Sequence, residues 1–137
     1  MPMTPRQKYE RYSEPRTKVL TSAFAGVPAG ARLHISTPRD LEARIRAIPE
    51  GTALDIPALR DEVAAAHEAD ATCPVTTAMY LRILLEIAVD DVVDGVEIGQ
   101  VTPVWRVVAP DSPVAQRVAG AVELIADRRR AEGLAAG

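Results

Sequence analysis

Few residues in the chain have side chains suited to chemistry, and their spacing points to binding more than to catalysis. Thr76 and Thr77 stand at the start of a predicted helix, where hydroxyls and free backbone N–H groups suit a phosphate. The same pair also suits an ordinary helix start. Tyr80 and Arg82 follow on that helix as candidate DNA contacts. Trp105 is the only tryptophan, and it could stack on an extruded base or fill a core short of aromatics. Arg106 could contact DNA or hold a turn. Cys73 is the only cysteine and could act as a nucleophile with His67 and Asp70, but it reads as a small buried hydrophobe. His34 and His67 have no further partner at ligand spacing, so no metal is expected. Asp90, Asp91 and Asp94 read as a solvated helix end, and Arg128, Arg129 and Arg130 as cations favoured at a helix C-terminus.

Several elements must position these residues. Thr37-Pro38-Arg39-Asp40 is a helix start, with Thr37 as cap and Asp40 at the capping-box position. Leu41, Ile45 and Ile48 share its apolar face, and Pro49 and Gly51 stop it. Asp55-Ile56-Pro57 opens a second helix that buries Leu59 and Val63 and runs to about His67. Glu68 to Thr72 form a turn. A long third helix begins at Thr72-Cys73-Pro74, with Val75, Met79, Ile83, Ile87 and Asp91 as a ladder widened by Leu84 and Ala88. Two helices across a short turn, the second one longer, have the shape of a helix-turn-helix. Val101 to Val108 reads as a short strand, because it is rich in Val. A last helical stretch runs from the Pro110–Pro113 turn to about Arg130, broken near Gly120, with Val118, Val122 and Ile125 inward.

Bulk properties set the class. The 137 residues fit one domain. Apolar residues make up 47% and aromatics 4%, so the core must be aliphatic. The net charge of −3 is not that of a strongly basic nucleic-acid binder, but the charge is uneven. Arg6, Lys8, Arg11, Arg16 and Lys18 make one end basic, while Glu86, Asp90, Asp91, Asp94 and Glu97 make the middle acidic. One cysteine fits a reducing compartment, and no segment reads as a membrane span or secretory signal, so the expected location is cytoplasmic.

Three segments carry a resemblance: Ile48-Pro49-Glu50-Gly51, Pro103-Val104-Trp105-Arg106-Val107-Val108, and Glu132-Gly133 after the last helix. In this order they resemble the DNA-binding domain of the alkylguanine-DNA alkyltransferases, which runs Ile-Pro-x-Gly, helix-turn-helix, Pro-Cys-His-Arg-Val-Val, then a helix ending in Glu-Gly. The resemblance spans Ile48 to Gly133. The phrases Thr72 to Thr77 and Thr102 to Val107 are also similar to a bacterial group of cysteine-less proteins labelled as members of that family. The resemblance implies a mainly α fold with a small β element: a winged helix-turn-helix over residues 37–133, a partly irregular N-terminal extension over 1–36, and a frayed tail over 134–137.

The family's reaction moves an alkyl group onto a cysteine activated by a histidine paired with a glutamate. Val104 stands at the cysteine position and Trp105 at the histidine position; only Glu132 remains. The resemblance therefore implies a non-enzyme without cofactors, with Val104, Trp105 and Glu132 lining the former pocket. Its cysteine-less members bind alkylated DNA. Their base-rotating tyrosine falls here on Ile56 and their gap-filling arginine on Ala78. The expected partner is duplex DNA, with recognition of alkylated or damaged sites; a protein-interaction or regulatory module on a degenerate scaffold is the alternative.

Overall fold

A computed structural model describes residues 2–135. It is mainly helical, with one small sheet. The helices are α1 (Pro5–Arg11), α2 (Pro38–Arg46), α3 (Ile56–Ala66), α4 (Pro74–Val93), α5 (Pro113–Gln116) and α6 (Ala121–Glu132), and the strands are β1 (Arg16–Val19), β2 (Arg32–Ile35) and β3 (Ala71–Thr72). In the sheet β2 lies between antiparallel β1 and parallel β3, with Thr17 opposite His34 and His34 opposite Thr72. No helix among the described residues is long and apolar enough to cross a membrane.

Prolines in the first turn pre-set φ for five helices without losing a needed N–H. Thr37 Oγ1 accepts the Asp40 N–H at 3.1 Å, and Asp55 Oδ1 accepts the Ala58 N–H at 2.8 Å. The Asp40 carboxylate accepts instead from the Ser36 hydroxyl and the Arg44 guanidinium, so the capping box at Thr37 is only half built. Gly120 and Gly133 take left-handed φ of 80° and 74°, which begins and ends α6 cleanly. The expected frayed tail at 134–137 is thereby shortened: the Leu134 N–H is tied to the Arg129 carbonyl at 2.8 Å, and residues 136–137 lie outside the described residues.

The core wraps α4, which buries Tyr80, Leu81, Leu84, Leu85 and Ala88, with α1, α2, α5 and α6 packed around it. Only part of the predicted ladder goes inside. Ile83 and Ile87 are buried, Val75 is 57% and Met79 38% exposed, and Asp91 pairs with Arg6. The i, i+4 rule is sound, but α4 runs past its cover, so its first turns keep one apolar side in solvent.

Two further expectations are corrected. Val101 to Val108 is not a strand: Val104–Arg106 is a 3-10 turn closed by Arg106 N–H to Pro103 O at 3.0 Å and Val107 N–H to Val104 O at 3.0 Å. Its valines satisfy burial rather than a ladder, since Val101, Val104, Val107 and Val108 are all in the core and β propensity largely reports packing. The β element lies in the N-terminal residues, where Leu33 and Ile35 alternate with polar neighbours and the sequence reads as short extended pieces between Val19 and Ile35, and at Ala71–Thr72, within the predicted turn. Residues 1–17, which read as a charged arm in the sequence, also pack on the domain. Tyr9 and Tyr12 pack on the main core, the Tyr9 hydroxyl donates to Glu42 at 2.7 Å, and the Tyr12 and Tyr80 rings lie 5.3 Å apart.

A stacked histidine pair fastens β2 to the helices. The His34 and His67 rings lie 3.8 Å apart at 11°. Thr17 Oγ1 is 2.9 Å from His34 Nδ1, His67 Nε2 faces Asp40 at 3.8 Å, and the Nε2 atoms of both rings are enclosed without a hydrogen-bond partner. Burial pushes the His34 pKa down, the neighbouring His67 and Arg44 charges add to this, and Asp40 opposes it. The unfolded chain then binds a proton that folded His34 rejects. Stability is full above the ordinary histidine value of about 6.5 and falls as the pH drops below it. Urea midpoints measured between pH 7.5 and 5 should decline, and His34→Asn should flatten that decline.

Candidate functional site

The three segments singled out by the sequence meet at one buried carboxylate. The Glu132 side chain, on the last turn of α6, is 1% exposed. Arg106 grips it with Nε to Oε1 at 2.9 Å and Nη2 to Oε2 at 3.0 Å. The Trp105 indole N–H donates to Oε2 at 2.6 Å, and the Gly51 backbone N–H to Oε1 at 3.0 Å. The remaining arm of Arg106 donates through Nη1 to the Ile48 carbonyl at 2.8 Å, and Leu54 N–H returns to the Arg106 carbonyl at 2.8 Å. Gly51 reaches the carboxylate with φ of +82°, a conformation that disfavours any residue with a Cβ.

Burial alone would raise the Glu132 carboxyl. Hydrogen bonds from Arg106, Gly51 and Trp105, with the Arg106 charge, overcome that and hold its pKa at about 2. The group is therefore a fixed anion and no proton shuttle near neutral pH.

This geometry assigns the expected pocket residues a different job. Val104 is fully buried and Trp105 is 2% exposed, so with Glu132 they form a packed knot rather than an open pocket. Trp105 fills the core, with Arg128 5.5 Å from its ring centre. The cavity beside it, bounded by Arg46, Pro103, Trp105 and Arg106, holds about 120 Å³, below the range of roughly 300–1,000 Å³ usual for ligand pockets. Arg106 was a candidate DNA contact, but its guanidinium is committed to Glu132 and Ile48.

On α4, Thr77 and Tyr80 are buried, and the Thr77 hydroxyl donates to the Cys73 carbonyl at 2.7 Å. Neither can meet a surface partner. Thr76 is half-buried and its hydroxyl also turns toward Cys73, at 3.5 Å. Arg82 alone of the expected contacts is well exposed, with Glu86 3.5 Å away. Cys73, His67 and Asp70 are not joined: Cys73 is buried in the smaller core cluster, His67 stacks on His34, and Asp70 accepts the Arg32 N–H at 2.8 Å. No group of three or more His, Cys, Asp or Glu is placed to hold a metal among the described residues.

Sequence reasoning missed the surface that tertiary structure builds around the open half of α4. Three hollows, of about 500, 450 and 360 Å³, adjoin in pairs at Val75, Thr76 and Met79 and form one groove across the helix. The hairpin β1–β2 bounds one side and α5 the other. Arg16, Lys18, Arg82 and Arg117 stand along it, and Glu14 is the one acid in its walls. Among the described residues Arg16, Lys18 and Arg117 have no ion-pair partner. No family model matches the chain, and no curated protein or solved structure matches it significantly. The acids Asp90, Asp91, Asp94 and Glu97 lie toward the far end of α4 and beyond it, so charge divides along the helix.

Proposed function

We propose that the chain is a non-catalytic DNA-binding protein on an alkyltransferase-like scaffold, with α3 and α4 as its helix-turn-helix and the exposed half of α4 as its docking helix. The observation that carries this reading is the groove over α4, lined by Arg16, Lys18 and Arg117 without ion-pair partners among the described residues and by Arg82, whose partner is Glu86, while most acids of α4 lie toward its other end. The β1–β2 hairpin takes the place of a wing, although it precedes the helices in the chain. The meeting of Ile48–Gly51, Trp105–Arg106 and Glu132 in one knot supports the scaffold likeness. Alkyl transfer has no acceptor at Val104 and no base at Trp105. The packed knot also favours contact with an intact duplex over capture of an extruded base, so discrimination of alkylated or damaged DNA would act through duplex shape.

Fluorescence anisotropy with a labelled duplex, with and without alkylated guanine, tests the reading. Binding is expected at low salt, weakening steeply as salt rises. Absence of binding at low salt would sink the proposal. Intact-mass measurement after incubation with the alkylated duplex should show no added alkyl group. A protein-interaction module is the second reading, favoured by the exposed Val19, Phe24, Val75 and Met79 around the same groove. That reading calls for a defined partner whose binding survives both nuclease and high salt.

A further inference from the structure

Phe24 is the aromatic that the fold leaves in solvent beside the groove. It lies at the tip of the loop between β1 and β2, where Phe24 and Val27 exchange backbone hydrogen bonds at 2.9 and 2.8 Å. The two residues between them, Ala25 and Gly26, both have left-handed φ, 50° and 83°. That makes a two-residue turn of the tightest hairpin kind. Glycine suits its second position, but Ala25 bears a Cβ and sits there under strain. The turn nevertheless holds, and it presents a ring that is 43% exposed with its other side against the largest hollow. Leu20 and Val27, buried beneath the turn, anchor it to Leu33 and Cys73.

We infer that Phe24 is an apolar wedge that enters the base stack of a duplex lying along the α4 groove. The inference rests on the DNA-binding reading and names the residue through which that face deforms its partner. Its support is the combination on one surface. Arg16 and Lys18 on the same hairpin, and Arg82 and Arg117 across the groove, supply phosphate contacts along the groove that the exposed apolar tip adjoins. Proteins that bend duplexes place Phe, Leu, Ile or Met between base steps from such a position, with cations holding the backbone. A tight turn holds the backbone that carries the ring before contact, so little loop ordering is left for binding.

A duplex carrying 2-aminopurine, whose fluorescence rises when it unstacks, tests the wedge. The full chain should bind and raise the signal. Phe24→Ala should weaken binding about tenfold, in line with loss of one base-stacking contact, and abolish the rise at saturating protein. Phe24→Leu should keep most of the rise, because Leu also wedges. Lys18→Ala should weaken binding and flatten the salt dependence while leaving the rise at saturation intact. Urea midpoints would confirm that the variants fold. Binding without a rise, or a rise that survives in Phe24→Ala, would overturn the wedge and leave the DNA reading standing. No binding by the unaltered chain at low salt would overturn both. A dimer in sedimentation that Phe24→Ala dissociates would overturn the wedge by assigning the tip to a second copy of the chain.

Discussion

Glu132→Gln should destabilise the protein by about 3–5 kcal/mol at pH 7, the usual cost of breaking a buried ion pair by removing one partner. Arg106, with its side chain 14% exposed, would keep its charge and lose its counter-ion. The amide can accept through only one oxygen, whereas Glu132 receives four donors: two from Arg106 and one each from Trp105 and Gly51. The pH dependence makes the test specific. Folded Glu132 has its pKa at about 2, against about 4.3 for a free glutamate. Its stabilisation is therefore fully present above the unfolded value and is lost as the pH falls toward 2. The shift is worth about 3 kcal/mol. Urea unfolding from pH 7 to 2.5 should show this loss in the unaltered protein and a shallower profile in Glu132→Gln. An unchanged midpoint in the variant at pH 7 would mean that the knot is not what joins the three segments.

Removing the groove cations should have the largest effect on binding. Each phosphate contact contributes a slope of about −0.9 to the dependence of log affinity on log salt, so four contacts give about −3.6. Raising salt from about 50 to 200 mM would then weaken binding by roughly 150-fold. The variant with Arg16, Lys18, Arg82 and Arg117 all changed to Ala should lose nearly all of that slope along with its low-salt affinity. The four lie on exposed surface away from the core, so unfolding should change little. A control with Asp90 and Asp94 changed to Asn, at the acidic end of α4, should bind at least as well as the unaltered chain. Retention of a steep slope in the quadruple variant would place the phosphate contacts elsewhere.

How much of this was legible in the sequence depended on whether the signal was local. Thr37-Pro38, Asp55 with Pro57, and Pro49 with Gly51 mark the ends of α2 and α3 because caps and stops act within one turn. Gly120 and Gly133 mark α6 for the same reason. The knot was visible only as three unlinked phrases. Their order in the chain suggested a relation, but nothing in the spacing says that Trp105 would donate to Glu132 or that Arg106 would reach Ile48. Val101 to Val108 misled because valine marks burial as readily as a strand, and this segment is buried without a strand neighbour. Periodicity placed α4 but not its exposed start. Thr77 and Tyr80 therefore read as surface contacts and are core, while Val75 and Met79 read as core and are exposed. The cationic groove joins Arg16, Arg82 and Arg117, which are far apart in the chain, and only packing brings them to one face.

The central claim is that a duplex docks on the open half of α4. Its most direct test is a titration of the ¹⁵N-labelled protein with a short duplex at low salt, followed residue by residue in amide NMR spectra. The account predicts shifts at Arg16–Val19, around Phe24, at Val75–Arg82 and at Val114–Arg117, all reversed by added salt, with the Trp105 indole N–H resonance unmoved. Shifts centred on Asp90–Glu97 or on the Trp105–Glu132 knot would contradict it, as would a spectrum that does not change.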